Sequence, residues 1–538
     1  MPASVQRPLL TTLLTLAWLW PHTYGPSAAV EPYLVCALLA ALALALWPAG
    51  DAARGARIAA WAWLAAALAS GVIGLLQYFD LEGRANDGAL ALFGFFDPQG
   101  RLPLLIDVAA PGMAFGNLRQ PNQLATLLVM GALALYGLAR VGRLPKYLAV
   151  ALGALLMAAL AATASRVGLV ELLACGALAL WWAFAARQPG QGRGAALKAA
   201  LWAVGIAVAL YALAALALPL LAQSTEGIAG RDIAERLRTA ESTCGSRLIL
   251  WNNVLHLISL KPWTGWGWGG LNYAHYITLY DGPRFCHILD NAHNLPLHLA
   301  VELGVPTALL ACALAVWLVW RGKPWAEQQP ARQLAWGVLL AIGLHSLVEY
   351  PLWYGPFQIA AAICVWLLWA TRAGAPVALP EWLHLGARYA AAVVMFYAVA
   401  YAGWDYARVS QVYLPPEDRF ARWSDDPMAQ ARKSRLFADV ALFADVTSQS
   451  VTSENAGWML PAALCTLHYS PEPRVITRVI ESATLLGRDD LALAHLARFR
   501  AAFPAEHRQW VQDNERDLRD ARASQPGSAA SEGLSAAP

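Results

Sequence analysis

The run Asp290-Asn291-Ala292-His293-Asn294-Leu295 closes a polar stretch of about 70 residues, and its His293 stands two residues before a long apolar run. A histidine at such a boundary can take a proton near neutral pH. With Asn294 beside it, His293 could orient a hydroxyl and deprotonate it. The competing reading is a helix-capping or structural histidine, and His275, His287 and His298 are neighbouring rivals. Four histidines in one stretch raise the question of zinc. No pair has the H-E-x-x-H arrangement and no cysteine pair has zinc-ligand spacing, so no metal is expected.

Upstream, Gly245-Ser246-Arg247 opens an amphipathic helix to about Leu260, which the glycine-dense segment Lys261–Gly270 breaks. Glycines at that density permit a tight turn and close approach of backbone to a ligand. Arg247 sits at the helix start, where the dipole already disfavours a cation, so an anion would compensate. A surface salt bridge to Glu241 is the plainer alternative. Arg166, in Thr163-Ala164-Ser165-Arg166-Val167-Gly168, has no carboxylate close in sequence and suits bidentate binding of phosphate; snorkelling to lipid headgroups is the alternative. The amides of Gln120 and Gln123, in "GNLRQPNQ", could hold sugar hydroxyls or a phosphate, or simply start a helix at Pro121. Glu349 lies at a hydrophobic boundary in His345–Tyr354, where ionisable groups are costly and usually functional or paired. It is expected to orient a basic partner such as His293 or an arginine. Arginines for a pyrophosphate, aromatics for sugar faces and a histidine for an acceptor hydroxyl describe a transferase with a lipid-linked anionic donor.

The elements that must position these residues are membrane helices. Apolar residues make up 58% of the 538 and charged residues only 14%, against about 25% charged in soluble domains. This predicts an all-α polytopic integral membrane protein. The net charge of +3 is small and scattered, so no nucleic-acid patch is expected. Eleven spans are predicted, at 9–24, 30–48, 58–78, 122–140, 146–163, 167–186, 198–221, 295–320, 333–348, 355–371 and 387–404. Trp18, Trp20, Trp47, Trp317, Trp320, Trp366 and Trp369 lie at span ends, as in interfacial belts. No cleavable signal peptide is evident, because the first apolar run lacks a small-residue cleavage site and another span follows it. Lys and Arg gather in the loops after spans two, four, six, eight and ten, which puts those loops and the N-terminus in the cytoplasm. The opposite side then receives 79–121, Ser165-Arg166, the loop 222–294, the turn Glu349–Tyr354 and the C-terminal tail.

Cys36, Cys175, Cys312 and Cys364 fall within spans and read as small apolar packers. Cys244 and Cys286 share the long outer loop, where an oxidising periplasm would let them pair; Cys465 is left over. The membrane part is expected to span 1–404. A charged helical domain over 405–523 follows, in which Leu486–Phe503 reads like half of a tetratricopeptide-type helix pair. Residues 524–538, rich in Ser, Ala, Gly and Pro, read as a disordered tail.

The segments "GNLRQPNQLATLL" (116–128), "SRLILW" (246–251), "HNLPLHLAVELGVP" (293–306) and "HSLVEYPLWY" (345–354) resemble the Wzy/O-antigen-ligase superfamily, and within it the PglL-type bacterial protein O-oligosaccharyltransferases. The "HNL" element is shared with ligases and polymerases; "RQPNQ" and "EYPLWY" are closer to the protein glycosylators. The resemblance covers about 1–405. It implies an oligosaccharide donor on undecaprenyl diphosphate, a Ser or Thr acceptor on a periplasmic protein such as type IV pilin, an inner-membrane location with the site facing the periplasm, and no cofactor. It implies that His293 is the base or acceptor-orienting group and that Arg166 and Arg247 hold the diphosphate. Gln120 or Gln123, and Tyr350, match polar positions of the family. An O-antigen ligase acting on lipid A–core and a Wzy-type polymerase share the donor site and remain open; the helical tail favours a protein acceptor. A glycolipid transporter would need charges deep within spans and repeated halves, and few mid-span charges and no inverted repeat are evident.

Overall fold

A chain this apolar carries more hydrophobic surface than one core can hide, and its helices divide accordingly. The structure, a computed structural model, describes residues 3–48, 50–93, 106, 112–186, 193–226, 244–372 and 380–523. Among them there is no strand. The helices are α1 (Ala3–Leu19), α2 (Val30–Leu46), α3 (Ala52–Tyr78), α4 (Glu82–Phe93), α5 (Pro121–Arg140), α6 (Lys146–Ala162), α7 (Arg166–Ala185) and α8 (Arg193–Glu226). Next come α9 (Arg247–Leu260), α10 (Leu271–Ile277), α11 (Leu295–Leu303), α12 (Val305–Gly322), α13 (Pro330–Ser346), α14 (Gly355–Ala370) and α15 (Glu381–Ser410). The tail adds α16 (Pro427–Ala431), α17 (Ala438–Ser448), α18 (Ala456–Tyr469), α19 (Pro473–Leu485), α20 (Asp489–Ala502) and α21 (Pro504–Ala523).

α3 is the axis of the main core. Its Ala59, Ala62, Ala66 and Ala67 are fully buried, and small side chains let helix backbones approach closely where lipid, not water, is the solvent. Opposite them, Gly131 of α5 leaves no room for a side chain: a Cβ there would stand 2.3 Å from the Cβ of Ala67. α8, α12 and α15 do the reverse. Trp202, Leu213 and Leu216, Leu310 and Trp320, and Val394 and Tyr397 all point outward, an apolar surface suited to lipid. The chain is a multi-pass helical membrane protein.

Several expected boundaries are corrected. Among the described residues six helices, α3, α5, α7, α8, α12 and α15, are long and apolar enough to cross a membrane, and α2, α6 and α14 are shorter apolar helices. The first span begins at Ala3 and stops at Leu19, before Pro21. The span expected over 295–320 is two helices, α11 and α12, parted at Gly304. α8 runs to Glu226, five residues into the expected outer loop, and α15 extends beyond 387–404 at both ends. Residues 524–538 and Glu241 lie outside the described residues.

The break at Gly304 has a local cause. Gly304 has φ +85°, and Gly265, which faces it, has φ +67°. Gly267 N–H donates to the Glu302 carbonyl at 2.9 Å and Val305 N–H to the Pro262 carbonyl at 2.8 Å, so two backbones lie against each other. A Cβ on Gly304 would stand 2.2 Å from the Trp263 carbonyl oxygen. Gly304→Ala is therefore expected to destabilise the protein by at least about 2 kcal/mol, read as a lower thermal-unfolding midpoint in detergent.

The tail packs back on the polar stretch between α8 and α11. Buried Asp405, near the end of α15, accepts hydrogen bonds from Ser434 Oγ (2.8 Å) and the backbone N–H of Arg435 (3.0 Å) and Leu436 (2.9 Å), which moors the chain where it leaves the membrane helix. α17 to α20 share a core built on Val446, Met459, Leu467, Ile476, Val479 and Phe499, and Tyr276 of α10 is part of it. Leu486–Phe503 contributes one helix, α20, packed on α19. Tyr276 Oη meets His495 Nδ1 at 2.8 Å, Arg498 Nε donates to the Ile277 carbonyl at 3.0 Å, and Tyr273 stacks on His468 with centroids 3.6 Å apart.

Candidate active site

The turn before α11 presents His293. Asn291 Oδ1 accepts the His293 backbone N–H at 2.9 Å, holding His293 at φ +49°, a left-handed conformation that an L-residue adopts only where neighbours fix it. Asn294 caps α11: its Oδ1 accepts the Leu297 N–H at 3.0 Å and its Nδ2 donates to the Leu347 carbonyl at 2.9 Å. The capping is thus done by Asn294, and His293 does not serve as the cap. Asn294 thereby braces the turn that presents His293.

Glu349 gathers the site. It is 5% exposed. Its Oε2 lies 2.7 Å from His293 Nδ1, its Oε1 accepts from Arg247 Nη2, and Asn122 Nδ2 donates to Oε1 at 3.2 Å. A buried carboxylate is tolerable only when paired and hydrogen-bonded. Burial pushes its pKa up, but His293, Arg247 and His345 together outweigh burial and hold the carboxyl below its ordinary range. An ionised carboxylate only accepts, so His293 Nδ1 is the donor in this contact. Arg247 is the first residue of α9, whose cap is Ser246; Glu349 supplies it with a compensating anion.

The same cluster reaches α5 and α7. Ser165 caps α7 and donates from Oγ to Asn122 Oδ1 at 2.7 Å. Arg166 follows directly and is exposed. Gln120 caps α5 by accepting the Gln123 N–H at 3.0 Å. Gln123 is 3% exposed and its amide meets Tyr354, so it faces inward rather than toward a substrate. Tyr350 lies edge-on to the His293 ring with centroids 5.0 Å apart. Burial, with Tyr354 beside it, keeps the Tyr350 phenol well above its ordinary range and therefore neutral.

The rival histidines have other duties. His275 is buried between Tyr280 Oη (2.8 Å) and the Phe285 carbonyl (3.1 Å), and burial, with Arg284 nearby, pushes its pKa down to about 3. His298 is buried against Glu302, and exposed His287 packs edge-on to Phe285. Cys244 and Cys286 form a disulfide, three residues before Arg247 and seven before His293. Among the described residues no group of three His, Cys, Asp or Glu is placed to hold a metal.

Two partners were not singled out from the sequence. Asn122 lies inside the "RQPNQ" element, and Ser165 precedes Arg166, but their contacts to each other and to Glu349 cross 43 and 227 residues of chain. Beneath them, Thr126 Oγ1 lies 2.9 Å from Glu171 Oε1 and 2.8 Å from His345 Nδ1, a buried polar layer tying α5, α7 and α13.

Residues 114–138 match the family model described as a protein glycosylation ligase. Residues 149–312 match that of the O-antigen ligases, and 333–517 that of a virulence factor membrane-bound polymerase, C-terminal. A general O-oligosaccharyltransferase of Acinetobacter baylyi is 24% identical over 325 residues, 60% of this chain and 52% of that protein. These matches make the chain similar to the PglL-type branch of the O-antigen-ligase superfamily. It spans about half the length of the curated relative. No solved structure matches it. The three family segments each supply part of the cluster: Gln120 and Asn122 from the first, Arg166, Arg247 and His293 from the second, Glu349 and Tyr350 from the third. The candidate site is therefore assembled from parts of the chain that separate family models match.

Proposed function

We propose that this protein transfers an oligosaccharide from undecaprenyl diphosphate to Ser or Thr hydroxyls of periplasmic proteins, type IV pilin among them, at the outer face of the bacterial inner membrane. The membrane part, 1–404, carries the chemistry; the helices over 405–523 brace its outer loop. The observation that carries the reading is Glu349, bound at once to His293 and Arg247. One carboxylate thereby fixes a base beside a guanidinium suited to phosphate.

In the proposed step, His293 Nε2 removes the acceptor proton as the hydroxyl oxygen attacks the anomeric carbon. The carbon–oxygen bond to phosphate breaks, and its electron pair leaves with the diphosphate. Arg247 and Arg166 stabilise that departing charge, the electrostatic contribution that is usually the largest. Glu349 keeps His293 in the useful tautomer, and Tyr350 limits its rotation. Gln120 stands at the rim for polar groups of the donor. The step needs neither nucleotide nor metal. A single displacement inverts the anomeric configuration; a product with retained configuration would sink it.

The test is transfer in a host that makes one defined undecaprenyl-diphosphate glycan and lacks its own ligase. Pilin is supplied as acceptor and read by intact mass, with lipopolysaccharide followed on gels. A pilin gain of one glycan is expected. Unmodified pilin with glycan on the lipid A–core band would make the protein an O-antigen ligase instead.

A further inference from the structure

Beside His293 lies a pair of indoles that the proposed chemistry does not use. Trp268 and Trp353 are parallel, with centroids 6.0 Å apart and planes 12° from each other. His298 stands edge-on to both, 4.9 Å from Trp353 and 6.2 Å from Trp268. Trp353 is three residues past Tyr350, the residue against the His293 ring, and its N–H donates to the Tyr350 carbonyl at 3.1 Å. The pair thus borders the reacting position on the side of the Glu349–Tyr354 turn.

Trp268 is 66% exposed, yet its backbone is fixed. It sits between Gly267 (φ +93°) and Gly269 (φ +73°). Trp266 N–H donates to the Val301 carbonyl and Gly267 N–H to the Glu302 carbonyl, both at 2.9 Å. The buried Glu302 carboxyl lies behind this loop, where burial raises its pKa and the backbone N–H groups of Gly269 and Leu271 partly offset that rise. A tryptophan that only anchors a protein in the lipid interface needs depth and rotational freedom. It does not need a buried carboxylate behind its own loop, nor a second indole parallel to it. An exposed, rigid indole face beside a glycosyl-transfer site suits the apolar face of a pyranose ring, because little freedom is lost when a flat partner stacks on it.

We infer that Trp268, backed by Trp353, is the stacking platform for a sugar ring of the lipid-linked oligosaccharide donor, on the side of the reacting sugar away from the diphosphate. This rests on the transferase reading above. Its role is recognition of glycan, as distinct from recognition of diphosphate by the arginines.

The test compares two probes, undecaprenyl diphosphate and undecaprenyl diphosphate bearing a defined oligosaccharide, binding to the full-length protein in nanodiscs. Wild type is expected to prefer the glycan-bearing lipid by about tenfold, the scale of one aromatic stacking contact. Trp268→Ala should erase that preference and bind the bare lipid as wild type does, while Trp268→Phe should keep most of it. A Trp268→Ala protein that keeps the preference, or that weakens on both probes alike, overturns the platform and leaves the transferase reading standing. Wild type binding neither lipid overturns the transferase reading, and the platform with it.

Discussion

Glu349→Gln is expected to lower the single-turnover rate of glycan transfer by about three to four orders of magnitude, the scale on which a wrong histidine tautomer costs a base-catalysed transfer. Glutamine fills the same space but cannot satisfy both neighbours. If its amide oxygen stays on Arg247, its NH2 group faces His293 Nδ1, which must then accept, and the proton moves to Nε2. The base is lost with its geometry intact. If the amide turns over, its NH2 opposes the Arg247 guanidinium, donor against donor, and the charge pairing at that position is lost. His293→Ala should cost about as much, and the double variant little more, since the two act as one unit. Melting curves and gel filtration serve as the folding control. A Glu349→Gln protein that is folded and within tenfold of wild type would remove Glu349 from the mechanism. The pH dependence has a definite sign. The Glu349 carboxyl is held below its ordinary range, so its pairing persists above about pH 4 and is lost only as pH falls through the lowered value.

The same residue marks how far the sequence could be read. Apolar runs and their punctuation located the helices, because the lipid imposes length and composition on each segment separately. Capping chemistry is equally local: Ser165, Ser246 and Asn294 are of types that favour helix starts, and Pro121 marks the start that Gln120 caps. The bond from Asn294 Nδ2 to the Leu347 carbonyl, by contrast, spans 53 residues and is not specified by residue type. Glu349 was legible as a costly boundary carboxylate with a basic partner, but which partner was not. Its contacts are 56, 102 and 227 residues away, and no periodicity carries that information. The division at Gly304 escaped for a related reason. A Gly-Val-Pro step within apolar sequence is compatible with a continuing helix, and only the opposing glycine at 265 makes the break obligatory. The tail's role was least legible, since Tyr276 and His495 lie 219 residues apart.

That long-range packing makes the disulfide the second point of large leverage. The polar stretch between α8 and α11 has a small core of its own, chiefly Leu250, Val254, Leu257, Leu271, Phe285 and Leu289, and small cores commonly need a covalent staple. Cys244 and Cys286 are 42 residues apart in sequence, and closing a loop of that length stabilises it by about 4 kcal/mol. The neighbouring contacts are modest by comparison: Asn253 bridges the Phe285 N–H and the Pro283 carbonyl, at 2.8 and 3.0 Å. In a Cys244→Ser/Cys286→Ser protein, amide exchange should rise across α9 and α10 and spread into α18 and α20, which pack on α10. Arg247 begins α9 just past Cys244, so a loosened loop lets it drift from Glu349. Misplacement of about 1 Å at a reacting centre can cost about a hundredfold in rate, and a fall in transfer of that order is expected, while α3 and α5 keep their protection. Wild type made under reducing conditions should reproduce the double variant. Unchanged exchange and full transfer in both would mean that the loop core and the tail hold Arg247 in place without the covalent link.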